Sequence, residues 1–426
     1  MITKTHRWKK RIGVSVLLLL GAIAIAVAAL PDLRQGLALL WAYNANSYAP
    51  DEWQAADASA SIPFLYDRHI LVPATVQGDR VVTIALDTGA PMSALIGGPH
   101  LDGVELDTGR TVPIGGSGQG VTPTAQLVSD LRLTVGAVAF SDFTALLIPW
   151  EQMGGYFNSP EQVYIHGILG YDLFSRYVVE FDFDRELLTL HRPDEFDYAG
   201  NGEIIPLTYV QRKPYFEAVV TQFDGTRAPV KLQLDLGKPT PLSLIPSEHD
   251  NISVPPHALE GESRGLSGQA EERVSRIREL RIGNQVLHDV VTAFSVEGHS
   301  TTGERNGVLG VEVLARFRVF IDYARDRMIL EPIALDKTFE SDMSGITWVP
   351  QGDSYAIWQL RDDSPARIAG LQEGDELVTI DGVHATSVRF GELFERMRSG
   401  DGVEIALKLR RGAQLVSVVM TLRRRI

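Results

Sequence analysis

The hexapeptide Leu86-Asp87-Thr88-Gly89-Ala90-Pro91 returns in the same chain as Leu234-Asp235-Leu236-Gly237-Lys238-Pro239. Ser117-Gly118-Gln119 returns as Ser267-Gly268-Gln269, and Gly167-Ile168-Leu169-Gly170-Tyr171-Asp172-Leu173-Phe174 as Gly307-Val308-Leu309-Gly310-Val311-Glu312-Val313-Leu314. The last match continues without a gap through Arg176/Arg316, Val179/Val319, Asp182/Asp322, Arg185/Arg325 and Leu190/Leu330. Three landmarks in one order at nearly constant offset mean that the chain holds two copies of one lobe. Any fold must therefore give each copy an equivalent setting.

Within each copy, short Val/Ile/Leu runs alternate with turn residues, and the chain carries 39 Gly and 22 Pro. Runs such as 70–76, 81–86, 131–135, 178–183 and 187–190 read as strands, so the lobes are expected to be mainly β. Their expected extents are 65–195 and 203–333. After a linker near 336–344 comes a third unit, 345–426, with two more strand patterns and helical spacing at Phe390, Leu393, Phe394 and Met397. The 426 residues are too many for one core and fit several domains.

The N-terminus sets the compartment. Lys4, Arg7, Lys9, Lys10 and Arg11 precede 19 uncharged residues from Ile12 to Leu30. At about 1.5 Å per residue, that stretch is long enough for a hydrocarbon core of roughly 30 Å. Residues 1–31 are thus a signal anchor or a signal peptide, with Ala26-Val27-Ala28 as an A-x-A cleavage site for the second reading. The length favours the anchor. The basic flank stays cytoplasmic, which places the bulk of the chain beyond the inner membrane, in the periplasm or outside the cell. Residues 32–64 are expected to be a juxtamembrane stalk and linker.

Several function classes are excluded or weakened by composition. A net charge of -14 does not suit a phosphate backbone, so no nucleic-acid partner is expected. With no cysteine there is no disulfide, thiolate nucleophile or Cys-ligated metal. The ten histidines show no H-E-x-x-H or comparable spacing, and no G-x-S-x-G elbow is present. No metal and no cofactor are expected.

What remains is the repeated aspartate. Two carboxyl groups held a few Å apart cannot both ionise cheaply, so they share a proton and can act as acid and base on one water. Each Asp needs a tight turn after a strand, and a following Gly lets the two turns approach face to face. Asp87-Thr88-Gly89 provides the turn and a hydroxyl able to reach the opposite lobe. Asp235-Leu236-Gly237 provides the carboxylate and the glycine, but not the hydroxyl.

On these residues the two lobes resemble the retropepsin-like and pepsin-like aspartic proteases. In that family an Asp-Thr/Ser-Gly loop pairs with a later hydrophobic-hydrophobic-Gly turn, here Ile168-Leu169-Gly170 and Val308-Leu309-Gly310. The resemblance implies a bilobal fold of two β-barrel lobes, catalytic Asp87 and Asp235, and loop support from Thr88, Gly89, Gly237, Gly170 and Gly310. It also implies a flap at Gly116, Ser117, Gly118 and Gln119 that closes on a protein or peptide substrate. Asp172 and Glu312 are expected to be structural partners of backbone or arginines.

The third unit resembles a PDZ domain through Ser364-Pro365-Ala366, Ala369-Gly370-Leu371 and Gly374-Asp375 ahead of Ile380-Asp381-Gly382. That resemblance implies a peptide ligand added as a strand, in a groove between the strand at 355–360 and the helix at 388–398. Two alternatives to an intramolecular protease stay open. One is a homodimer in which two Asp87 loops meet; the other is a non-catalytic peptide-binding or scaffolding protein.

Overall fold

The computed structural model describes residues 40–116, 118–153, 164–296 and 305–426. It divides at Tyr48/Ala49 into two units. In the first, residues 40–45 are helical, and Asn44 Nδ2 donates to the Leu40 carbonyl at 2.8 Å. The apolar stretch 12–30 lies outside the described residues; among those described, no helix is long and apolar enough to cross a membrane.

The second unit is mainly β. Its first part contains β1 (Asp51–Trp53), β2 (Ser59–Pro63), β3 (Leu65–Asp67), β4 (His69–Val76), β5 (Arg80–Leu86), β6 (Ala94–Ile96), β7 (Asp107–Pro113), β8 (Thr124–Val135), β9 (Val138–Ile148), β10 (Gly167–Leu169), β11 (Val178–Asp182) and β12 (Leu187–His191). The second copy contains β13 (Glu203–Pro206), β14 (Thr208–Val210), β15 (Lys213–Thr221), β16 (Arg227–Asp235), β17 (Leu242–Leu244), β18 (Leu259–Gly265), β19 (Gly268–Ile282), β20 (Gln285–Ser295), β21 (Gly307–Gly310), β22 (Phe317–Asp322) and β23 (Arg327–Pro332).

Six strands close into a ring in each copy. The first runs β4-β5-β10-β6-β9-β8 and back to β4; the second runs β15-β16-β21-β17-β20-β19 and back to β15. The two rings correspond strand for strand, including parallel pairing of β5 with β10 and of β16 with β21. Closure leaves each barrel without open edges, and the inward apolar residues fill it. Val72, Ile84, Leu86 and Leu169 in one barrel, and Phe216, Leu232, Leu234 and Leu309 in the other, are nearly fully buried.

A second sheet ties the lobes together in the order β13-β23-β22-β11-β12-β2. At its centre β11 of the first copy pairs with β22 of the second, and Arg318 on β22 donates to Glu180 on β11, which also binds His191. One continuous apolar core runs through both lobes and this sheet. The linker expected over 32–64 is corrected here. Residues 51–53 pair with β9, and residues 59–63 pair with β12, so much of that segment belongs to the lobes' sheets. These strands are stabilised by distant partners rather than by their own polar, alanine-rich sequence.

The third unit has its own core, beginning at Met343, with β24 (Ile346–Gln351), β25 (Ser354–Leu360), β26 (Glu376–Ile380), β27 (Val383–His384), β28 (Glu404–Arg411) and β29 (Gln414–Thr421). Ser364 caps the short helix Pro365–Ile368 through the Arg367 amide, with Pro365 in its first turn. Buried Asp375 takes two hydrogen bonds from Arg411 at 2.7 Å. The expected groove strand is also corrected. The strand at 355–360 lies between β24 and β26, so it is an interior strand and the edges of this sheet are β24 and β29. The unit docks on both lobes. Arg398 pairs with Glu312 at 3.0 Å, and Arg68 lies 4.4 Å from the Phe394 ring centre.

Candidate active site

Asp87 follows the last residue of β5, and Asp235 is the last residue of β16. Their loops repeat bond for bond. Gly89 N donates to Asp87 Oδ1 at 2.7 Å, and Gly237 N to Asp235 Oδ1 at 3.0 Å. Ala90 N returns to the Asp87 carbonyl and Lys238 N to the Asp235 carbonyl, both at 3.2 Å. The turns after β10 and β21 cross behind these loops. A Cβ at Gly170 would stand 2.2 Å from the Ala90 carbonyl oxygen, and one at Gly310 would stand 1.8 Å from that of Thr240. No side chain fits at either crossing.

The two loops face each other. A Cβ on Gly89 would lie 2.7 Å from the Asp235 carboxyl carbon, and one on Gly237 would lie 2.5 Å from that of Asp87. Each glycine thus leaves room for the opposite lobe's aspartate, and the two carboxyl groups sit close enough to act on each other electrostatically. Burial, reinforced by the negative charge of Asp235, raises the Asp87 pKa well above the usual carboxylate range. Lys213 and the Gly89 amide oppose that rise without cancelling it.

Thr88 is fully buried and spans the lobes. Its Oγ1 donates to the Leu234 carbonyl at 2.8 Å and accepts from the Leu236 amide at 3.1 Å. Leu236, equally buried at the equivalent position, returns no such bond and packs in the apolar core. One hydroxyl therefore does what a symmetric pair would share.

The sequence reading places a flap at 116–119. Ser117 lies outside the described residues; Gly116, Gly118 and Gln119 stand at the tip between β7 and β8. This tip meets the corresponding tip between β18 and β19. Gln119 N donates to the Gln269 carbonyl at 2.8 Å, and Ser267 Oγ to the Gly116 carbonyl at 3.1 Å. A Cβ at Gly118 would come within 2.3 Å of the Gly268 carbonyl oxygen. The glycines permit two hairpins to interlock from opposite lobes.

Asp172 accepts from Ser93 N and Oγ, and Glu312 pairs with Arg398, so neither reaches the dyad through those bonds. Three contacts were not read from the sequence. Gln233 Nε2 donates to Asp235 Oδ2 at 3.3 Å, and Arg305 donates to Gln233 Oε1. His69, buried at the start of β4, hydrogen-bonds the Gly237 backbone; burial and neighbouring Arg68 lower its pKa to about 4, which leaves it neutral. Gln233 could have been found, since residues two apart on a strand share a face. The register that brings His69 to the opposite loop leaves no local signal.

Among the described residues, no group of His, Asp and Glu is arranged to hold a metal ion. No family model matches the chain, and no curated protein matches it. Among solved structures, the aspartic proteinase from Irpex lacteus is similar at 14% identity, covering 66% of this chain and 99% of that one, with a TM-score of 0.46.

Proposed function

We propose that the chain is an aspartic-type endopeptidase that hydrolyses peptide bonds with Asp87 and Asp235 as a dyad within one molecule. The observation carrying this is the reciprocal seating of each carboxyl group over the other lobe's glycine, which brings the two acids face to face. Asp87 holds the shared proton. Asp235, which receives an N–H from Gln233, is the carboxylate. In the reaction Asp235 takes a proton from water, the oxygen attacks the peptide carbonyl carbon, and Asp87 passes its proton to the carbonyl oxygen. Collapse of the tetrahedral diol breaks the C–N bond as the amine takes the proton held by Asp235, and Asp87 recovers its own from the diol. The interlocked hairpins must part for a substrate to enter.

A single chain supplies both acids, which favours this reading over an Asp87/Asp87 homodimer. The non-catalytic alternative is separated by experiment. Purified monomer incubated with an unbiased peptide library from pH 3 to 8 should cleave, and a pepstatin-like transition-state mimic should stop it. Absence of cleavage across that range, with no binding of the mimic, would leave a peptide-binding protein instead.

The third unit is read as a PDZ-like module whose ligand joins the edge strand β24. Asp342 accepts from the Ser344 and Gly345 amides at the start of that edge. Its own carboxylate thus takes amides that a ligand's C-terminal carboxylate would use, so an internal peptide segment suits this groove better. Residues 12–30 are read as the anchor holding the enzyme at the inner membrane, with the catalytic lobes in the periplasm. Alkali extraction of membranes and protease accessibility in spheroplasts test both assignments.

A further inference from the structure

The register of the two barrels matches Lys213, Tyr215, Lys231, Gln233, Lys238 and Arg305 of the second lobe to His69, Leu71, Thr83, Ala85, Ala90 and Ile165 of the first. The second set carries four permanent cations and the first carries none.

These groups run from the dyad back along the second lobe's side of the site. Lys231, Gln233 and Asp235 alternate onto one face of β16, and Gln233 touches the Asp235 carboxylate. Tyr215 stands directly across from Gln233 on β15, with Lys231 Nζ 5.7 Å from its ring centre and Arg305 hydrogen-bonded to its hydroxyl. Lys213 acts electrostatically on Asp87, and Lys238 follows the glycine that seats Asp87.

All four cations are half-buried. Among the described residues, every ion pair uses an arginine or histidine other than these. Removing a charge from water without a partner is costly, and a dyad that shares a proton, together with Glu217 across from Lys231 on β15, offers two negative charges against four positive. Nor is the cluster a by-product of a basic chain. Net charge is -14, and three of the five lysines beyond residue 10 are found here.

We propose, building on the endopeptidase reading above, that the substrate is an acidic peptide. An Asp or Glu side chain lies against Lys231 and Arg305 on the lobe 2 side of the scissile bond, and an uncharged residue lies on the lobe 1 side. The guanidinium fork matches a carboxylate in two-point geometry, which an amide of the same size does not reproduce.

The test uses peptides identical except for Glu, Gln or Lys at the residues flanking the cleaved bond. With the full chain, Glu on one side only should raise kcat/KM about tenfold over Gln, the worth of one charge-assisted bond, and further over Lys. The gap should narrow in high salt and close in the Lys231→Gln/Arg305→Gln variant, whereas Arg305→Lys should keep part of it. In parallel, binding of the same labelled peptides to Asp87→Asn is followed by fluorescence anisotropy. Equal cleavage of Glu and Gln peptides would overturn the inference and leave the endopeptidase reading intact. Tighter binding of the Glu peptide without cleavage by the unsubstituted protein would do the reverse. No preference for Glu in either assay would end the proposal.

Discussion

The two lobes share a backbone plan and differ in side chains at the few positions where chemistry is set. Their barrels follow the same strand order, their aspartate loops make the same hydrogen bonds, and their crossing turns both need glycine. Yet lobe 1 keeps the bridging hydroxyl of Thr88, while lobe 2 has buried Leu236. Lobe 2 sets Gln233 and Arg305 behind its aspartate, where lobe 1 has Ala85 and Ile165. A shared proton does not require unequal halves, yet these two differ around their carboxyl groups. In the mechanism proposed above, the lobe with the richer hydrogen bonding to its carboxylate supplies the base, and the other supplies the acid.

The largest effect expected on this comparison is at Asp87. Asp87→Asn should lower kcat by about 10⁴-fold or more, as loss of one member of a concerted pair does. Because the folded pKa of Asp87 is raised, its carboxyl favours folding at low pH, and that contribution is lost as pH rises through the folded pKa. Asp87→Asn should therefore raise the thermal midpoint more at pH 7 than at pH 4. A uniform drop at both pH values would mean that the carboxyl is not held against ionisation.

Next in size are the glycines. Gly237→Ala places a methyl 2.5 Å from the Asp87 carboxyl carbon, and Gly89→Ala places one 2.7 Å from that of Asp235. Each should cost about 1–3 kcal/mol in urea unfolding through overpacking, with a loss of activity out of proportion to the loss of fold. Thr88→Val and Leu236→Thr then probe the one-sided bridge. The first leaves the Leu234 carbonyl and Leu236 amide without their partner and should destabilise by about 1–3 kcal/mol. Leu236→Thr trades apolar burial for a hydroxyl and should change stability by less than about 1.5 kcal/mol.

The smallest effect concerns the pH profile. The proposed mechanism needs Asp87 protonated, so activity falls as pH rises through the raised pKa of Asp87. Gln233→Leu removes the N–H donated to Asp235 and should lower kcat by about tenfold or less. Its alkaline limb should move little, since Gln233 touches Asp235 and not Asp87. A clear shift of that limb would mean that Gln233 does not distinguish the two acids.

The parts of this molecule that could be read in sequence are those where the backbone crowds itself. Gly89, Gly237, Gly170 and Gly310 stand where no side chain fits, so they keep their identity and spacing in both copies. Strands formed by distant pairing were less legible. Residues 59–63 have little apolar alternation and become a strand through register with residues 187–191. The edge of the third unit's sheet was misplaced by one strand, because strand order is not written in any local pattern. Likewise Gln233, Arg305 and Tyr215 come together through cross-strand register and the parallel approach of β21, which only the folded chain supplies.

The central claim is that one chain pools one carboxyl from each lobe. The most direct measurement is the kcat/KM of monomeric Asp235→Asn on a peptide that the unsubstituted protein cleaves, with folding checked by thermal melt. The account predicts a loss of about 10⁴-fold or more with the melt retained. Activity within a few-fold of the parent would contradict it, and would return the chemistry to Asp87 alone.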